Sequence, residues 1–484
     1  MDKREESSGL RIWDLALVIG VATAIITVLA IRQGMPPAPT TDALTYVRLA
    51  LGLAEFGTFG NFKQLGLTPA LSYEVTPLYP AFVALLAKLD PALRASLICT
   101  VEHKSLTAAC PDNYWTVVIG QGALMVVLAV SVWLTTWLIS GRRAAAWLAL
   151  VAVLACASPI YFARLLFTEA LLLPLFGLFT LVLLLAVQRR AQIVWPLLGG
   201  VLLGLLVLTR PTFTYVFWFM LVAGIVIALF GRQWHAMRAG LAVFVVAYGV
   251  VILPWMARNE IQFGELTLAD SAYGAKALSH RVGYNRMTAA EWGVAFIYWF
   301  PDFGDQLAKS LFPLHTYERL GWSSPKSFYQ VGVRDVLVKT LEAAGSKKDH
   351  LNYLLRTEVF ANPVRHSLVS LPLAWRGMFV DKYWGIIGWI CCVWLLSRTA
   401  RRREWSYWIL CLPPFFLLAF HAAVSVSIPR YSVPLIPVLS LAIGLALMQL
   451  GAKLAQLKSR IMRARENRGS GRVPPLSRAR FCGS

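Results

Sequence analysis

The sequence predicts an all-α fold: a polytopic membrane helix bundle of about ten transmembrane helices, with amphipathic helices in its first outward loop. Three observations predict it. The residues are 57% hydrophobic with a mean hydropathy of +0.60, apolar runs of about 20 residues recur along the chain, and Lys and Arg collect in alternate connections between those runs. The net charge of +21 follows from that topology and from anionic lipid headgroups. It therefore implies no nucleic-acid partner.

The spans fall at 12–32, 115–139, 144–163, 168–188, 193–209, 212–230, 238–257, 377–397, 405–426 and 431–451. The first has a basic flank and an apolar core, as a signal peptide does, but "RQGMPPAPTTD" follows it without a small-residue cleavage pattern, so it reads as an uncleaved anchor. Short basic segments set the orientation: Lys3, Arg4 and Arg11, then Arg142/Arg143, Arg189/Arg190, Arg232/Arg238, "RTARRRE" at 398–404, and a tail with nine Lys or Arg. All lie on one side when the spans are counted through, which places both termini in the cytoplasm of a multi-pass inner (plasma) membrane protein. Residues 1–451 form the transmembrane domain. The tail 452–484, rich in Arg, Gly and Pro, is expected to be disordered and lipid-facing.

Two long loops occupy the opposite side, 33–114 and 258–376. In the first, "ALTYVRLALGLAEF" spaces Leu44, Val47, Leu51 and Ala54 at helical intervals, with Arg48 and Glu55 off that stripe, the pattern of an interfacial helix. "TPLYPAFVALLAKL" reads as a second, with prolines at its start and too few residues to span. In the second loop "WGVAFIYWFP" at 292–301 reads as an interfacial wedge. Cys156, Cys391, Cys392 and Cys411 lie inside spans as small packing groups. Cys99 and Cys110 in "CTVEHKSLTAAC" lie outward, where disulfides persist, and are a disulfide pair by that placement. No Cys or His pair has zinc-ligand spacing.

Sorting ionisable groups by depth isolates one set. Asp42, Glu74, Arg164, Glu169, Arg210, Arg258, His421 and Arg430 all sit at or just beyond the outward ends of spans. Charges at that depth are costly and mark sites, although a terminal Arg also snorkels to headgroups and Asp42 also suits the N-cap of the helix it starts. Several Arg suit a phosphate, since guanidinium gives bidentate geometry and stays charged. A carboxylate at the same depth suits a general base taking a proton from an attacking hydroxyl. Phosphate and base facing away from the cytoplasm point to a lipid-borne activated donor. No P-loop or dinucleotide-binding glycine pattern competes, and Gly200 and Gly204 in "GGVLLGLL" have the spacing of helix packing.

Six pieces, spread in order over residues 10–450, resemble the GT-C superfamily of integral-membrane glycosyltransferases, in the branch of the bacterial protein mannosyltransferase-like and aminoarabinose transferase-like enzymes. They are "TDALTYVRLALGLAEFGTFG", "YEVTPLYPAFVALL", "FTEALLLPLFGL", "GLLVLTRPT", "LPWMARNEIQFGELTLADSAYG" and "HAAVSVSIPRYSVPLIPVLSLAIG". The resemblance implies transfer of one sugar, with inversion, from a polyprenyl-phosphate sugar to an acceptor on the outer membrane face, the acceptor being a lipid, a glycan or a protein. It implies Asp42 as base or base-orienting group and Glu74 as its acidic companion, although Val75-Thr76 stands where relatives carry Lys-Pro. Arg258 and Arg430 match donor-phosphate positions, with Arg210 beside them. Glu169, Arg164, His421 and Tyr431 are secondary candidates. Ala43 stands where some relatives carry a second acidic residue, so no metal-bridging carboxylate pair is implied; a divalent metal is left open. A flippase or transporter for a lipid-linked sugar, a ligase for whole lipid-linked glycans and a receptor or scaffold are the competing readings. Transporters place charges near the midplane and show half-repeats, neither of which is visible here.

Overall fold

The structure, a computed structural model, describes residues 12–32, 41–103, 110–111, 113–189, 192–230, 234–322, 324–346 and 349–469. The basic N-terminal segment with Lys3, Arg4 and Arg11, together with Arg190 and Arg232, lies outside them. Helix α1 (Ile12–Arg32) leads into α2 (Thr41–Phe56), and α3 (Leu78–Leu89) and α4 (Pro91–Glu102) complete the first outward loop. A two-residue ribbon, β1 (Gly60–Asn61) with β2 (Ala70–Leu71), pairs antiparallel between α2 and α3. The two interfacial helices read from the sequence are α2 and α3. Asp90 caps α4 by accepting from the backbone N–H groups of Ala92 and Leu93, which satisfies two of the four open donors of a helix start. Cys99 and Cys110 are joined by a disulfide.

The bundle consists of α5 (Trp115–Ser140), α6 (Arg143–Ala155), α7 (Ala157–Ala163), α8 (Glu169–Gln188), α9 (Val194–Thr209), α10 (Phe213–Phe230) and α11 (Trp234–Phe263). The second connection folds as α12 (Ser271–Val282), α13 (Ala289–Tyr298), α14 (Gly304–Leu311), α15 (Phe328–Val331), α16 (Val338–Ala343) and α17 (His350–Leu354). Then come α18 (Pro363–Met378), α19 (Tyr383–Arg402), α20 (Ser406–Val424) and α21 (Leu435–Gly469). Among the described residues seven helices are long and apolar enough to cross a membrane, or nine if two bent pairs each count as one span. The expected span 193–209 is α9, whose 16 residues cover about 24 Å at 1.5 Å per residue, short of the ~30 Å of hydrocarbon.

Two expected spans are broken. The run 144–163 is α6 and α7, bent by 55° at Cys156, because the ring of Pro159 in the first turn of α7 clashes with the carbonyl four residues back, at Ala155. The run 377–397 starts instead at Tyr383, since α18 and α19 meet at 110°. In that corner Asp381 and Lys382 take positive φ, and Gly385 is the residue type that fits where the chain folds back on Val380, since a Cβ there would sit 2.4 Å from Val380 O and 3.0 Å from its N. The two breaks repair each other. The Asp381 carboxylate accepts from the N–H of Ala157 at the start of α7, and Trp384 Nε1 donates to Ala152 O of α6 at 2.8 Å. Broken helix ends in a membrane require such partners.

The tail differs from expectation as well. Residues 452–469 continue α21 without a break, because "AKLAQLKSRIMRAREN" holds strong helix formers and neither Gly nor Pro; 470–484 lie outside the described residues. Small residues set the closest contacts: Gly204 faces Val251 of α11, and a Cβ on Gly444 would sit 2.6 Å from the backbone N of Ala149. Gly444→Leu should therefore split α6 from α21 at ~1–3 kcal/mol of overpacking and lower the thermal midpoint in detergent by several degrees. Gly20→Leu, with nothing within 4 Å of its Cβ, is the matched control and should leave the midpoint in place.

Candidate functional site

Four helix termini meet at the end of the bundle that carries the two long connections. Asp42 is in the first turn of α2, Glu169 is the first residue of α8, and Arg210 follows the last residue of α9. Arg430 and Tyr431 lie in the 3-10 turn Pro429–Ser432 between α20 and α21. Acids thus sit at helix starts and Arg210 at a helix end, each where the macrodipole favours its charge.

Glu169 is the centre of the cluster. Its side chain is 0% exposed, and two guanidinium groups hold it. Arg430 donates from Nε to Oε1 at 2.5 Å and from Nη2 to Oε2 at 3.2 Å, a bidentate fork. Arg210 donates from Nη2 to Oε1 at 2.6 Å and to Thr168 Oγ1 at 3.3 Å. Arg430 then reaches outward, its Nη1 donating to Asp42 Oδ2 at 3.3 Å, while its guanidinium lies 4.0 Å over the Phe167 ring. Burial opposes the charge on Arg430, yet the Glu169 carboxylate outweighs it and holds the guanidinium above its ordinary pKa. Asp42 differs from Glu169 in access, being 62% exposed.

Asp42, Arg210 and Arg430 of this cluster line the floor of a cavity of about 590 Å³, with Glu169 enclosed behind them. Asp42, Tyr46, Arg210, His421, Arg430 and Tyr431 face it. His421 is buried, with Ser425 Oγ 3.4 Å from its Nδ1 and the Tyr431 ring 5.0 Å from its own. The Arg210 guanidinium lies 5.6 Å over Tyr431, so three residues of the floor are stacked in sequence. One wall is aromatic, Tyr215 on α10 against Phe420 on α20 with ring centroids 4.4 Å apart. The second connection adds Tyr273 and the aliphatic Ala277, Leu278, Leu351 and Leu355. Buried Arg281 ties α12 down, donating to Ala422 O at 2.6 Å and His366 O at 2.8 Å, and so holds Leu278 in place.

Asp42, Glu169, Arg210, Arg430, His421 and Tyr431 are thus brought together; three other sequence candidates are not. Arg258 is turned into the first loop, where it donates to Ser72 O at 2.9 Å and Phe59 O at 3.1 Å and lies 4.9 Å over Trp255. Glu74 accepts from Tyr273 OH and stands behind the rim, with its neighbour Val75 in the wall. Arg164 is half-buried and outside the lining. Tyr46 escaped the sequence reading, although it lies one helical turn after Asp42, on the same face; burial pushes its phenol pKa up.

The donor set of the floor does not suit a divalent ion. Both Glu169 oxygens are occupied by guanidinium groups, and Asp42 alone, beside two cations, falls short of the oxygen cage such ions need. The one group of three His, Cys or acidic ligands among the described residues is Cys99, His103 and Cys110, whose two thiols are consumed by the disulfide.

No family model and no curated protein sequence matches the chain. Solved structures do. ArnT from Cupriavidus metallidurans bound to undecaprenyl phosphate is 15% identical, with 91% of this chain and 62% of that chain covered and a TM-score of 0.49. The Archaeoglobus fulgidus oligosaccharyltransferase tethered to an acceptor peptide is 14% identical, with 92% and 50% covered and a TM-score of 0.50. The chain shares its overall fold with the oligosaccharyltransferase structure. It spans 50–62% of the length of these GT-C structures, and at such identity the likeness concerns the fold. The bundle here brings four helix termini to one cavity floor, and Glu169 is what holds them. Removing one partner of a buried ion pair costs ~3–5 kcal/mol, so Glu169→Gln should lower the detergent thermal midpoint well below that of Asp42→Asn. Equal midpoints would show that the cluster does not depend on Glu169.

Proposed function

We propose that this chain is a glycosyltransferase that moves a single sugar, with inversion, from a polyprenyl-phosphate-linked donor to an acceptor at the extracytoplasmic face of the membrane. One observation carries the reading: buried Glu169 aligns Arg210 and Arg430 in a cavity where Asp42 remains open. The fold supports the class of chemistry, and the atoms of the floor support the step.

In that step the acceptor hydroxyl oxygen bonds to the anomeric carbon while the bond from that carbon to the phosphate oxygen breaks. Asp42 takes the hydroxyl proton. The leaving phosphate passes from one negative charge as a diester to two as a monoester. The four floor charges, two Arg against Asp42 and Glu169, sum to zero at rest and to one positive charge once Asp42 is protonated. The site therefore gains a positive charge as the leaving group gains a negative one, the differential stabilisation that lowers a barrier. Arg210 keeps Nε–H and both Nη1 hydrogens outside its contacts with Glu169 and Thr168, enough for a phosphate oxygen pair. Inversion follows from the carboxylates: a retaining double displacement needs a second, nucleophilic carboxylate, and that of Glu169 is held by two guanidinium groups.

The donor's hydrocarbon would leave by the aromatic wall. Below Tyr215 and Phe420 the ladder continues through Phe416, 5.8 Å from Phe420, to Phe219, 4.4 Å from Phe416, along the seam between α10 and α20. The basic connections at the far end of the bundle orient it with both termini cytoplasmic.

The test is mass spectrometry of lipid-linked sugars and surface glycans in cells lacking the protein, complemented with wild type or variants. One donor should accumulate and one sugar disappear, with only wild type restoring both. Asp42→Asn should lower kcat by ~10²–10⁴, the range of a lost general base, with donor binding retained; full rescue by Asp42→Asn would refute the assignment. Arg210→Ala should weaken donor binding more than Arg258→Ala, and EDTA should leave purified activity unchanged.

A further inference from the structure

The charges of the cavity bear on which sugar it can take, an inference that rests on the transferase reading above. Among the described residues the charged side chains lining the cavity are Asp42, Arg210 and Arg430, with Glu169 enclosed behind them. Both Glu169 oxygens accept from guanidinium groups. One Asp42 oxygen accepts from Arg430 at 3.3 Å, which leaves the other for the acceptor's proton. Glu74 accepts from the Tyr273 hydroxyl and lies outside the lining.

The rest of the lining supplies neutral hydrogen-bonding groups and apolar surface. Hydroxyl-bearing side chains come from Thr45, Tyr46, Thr212, Tyr215, Ser425 and Tyr431. Thr212 Oγ1 is enclosed and has no hydrogen-bond partner among the described residues, a need that a ligand hydroxyl reaching it would meet. Phe420, Ala277, Leu278 and Leu355 add rings and aliphatic groups. A hydroxylated ring with apolar C–H patches suits both kinds of surface.

A charged sugar of either sign conflicts with that inventory. An ammonium would meet two guanidinium groups and one carboxylate whose free oxygen is needed as base; pairing with that oxygen would hold Asp42 ionised and weaken it as a base. A sugar carboxylate would compete with the donor phosphate for the Nε–H and Nη1 hydrogens of Arg210, the ones outside its contacts with Glu169 and Thr168. Either charge would also leave water for a site that holds no spare counter-charge, and its desolvation would go uncompensated.

We infer that the sugar on the donor is neutral, its polar groups hydroxyls, and that aminosugars and uronic acids are rejected by the charge balance of the cavity floor. The selection acts at binding. Asp42, Glu169, Arg210 and Arg430 set it together, since their charges sum to zero before the donor phosphate enters.

The test uses the purified full-length protein in nanodiscs and measures equilibrium binding of undecaprenyl phosphate conjugates. The conjugates are hexoses in matched neutral, amino and uronic forms, each in the gluco, manno and galacto configurations, at a mildly acidic pH that keeps the amine charged. The best neutral conjugate should bind at least roughly tenfold tighter than every amino or uronic one. A smaller ratio, with conjugates still binding, overturns the inference and leaves the transferase reading in place; binding of no conjugate would sink both. Ala277→Asp adds a carboxylate to the wall from α12 and, at an unchanged thermal midpoint, should narrow the gap to the amino forms at least about threefold and widen that to the uronic forms. A folded Ala277→Asp protein with both gaps unchanged would show that charge balance does not select the sugar.

Discussion

One carboxylate organises the cavity end of this protein. Glu169 has no exposed surface and no solvent to share its charge, so it depends on Arg210 and Arg430, and they depend on it. A buried pair of this kind adds little net stability compared with an apolar replacement. It adds specificity instead. Arg210 ends α9, Arg430 precedes α21 and Glu169 starts α8, so one set of charged hydrogen bonds sets the relative height of three helices whose apolar sides could otherwise slide. Asp42, on a helix outside the bundle, is drawn to the same point through the remaining arm of Arg430.

The division of labour between the two carboxylates follows from burial. Glu169, enclosed and held at both oxygens, is spent on alignment; Asp42, on the cavity side of the same guanidinium, stays open to the cavity, as the proposed proton transfer requires. Sequence position does not separate them, since each starts a helix and each follows a Thr. What separates them is the neighbouring chain: Glu169 opens a helix buried on most faces, whereas Asp42 opens one lying across the end of the bundle.

That limit explains which parts were legible from residues. The apolar runs gave the bundle, the basic connections gave an orientation to propose, and the depth of Asp42, Glu169, Arg210, His421 and Arg430 gathered the cavity floor. Depth alone also gathered Arg258, because a guanidinium at a helix end looks the same whether it faces a cavity or turns under Trp255 to bind carbonyls of the first loop. The breaks at Cys156 and in the corner before Tyr383 were hidden because hydropathy averages over them; only the match between Asp381 and the start of α7, 224 residues apart in sequence, makes the two defects tolerable. Tyr46 was missed because attention to charge passes over a phenol, although helical spacing from Asp42 placed it.

Charge count and charge use differ between the two ends of the molecule. At the cavity end, positive groups have partners inside the protein: Arg210 and Arg430 share Glu169, and Arg258 and Arg281, outside the cavity lining, donate to carbonyls. Each is partly or fully enclosed, and each would be costly without its partner. At the far end, Arg401, Arg402, Arg403, Lys453, Lys458 and Arg460 stand exposed. Their side chains face away from the protein, so their charge is open to lipid headgroups or any negative surface that approaches. The same residue type thus aligns a cavity floor where it is buried and paired, and faces outward where it is exposed. A count of +21 over the whole chain cannot tell these uses apart; enclosure does.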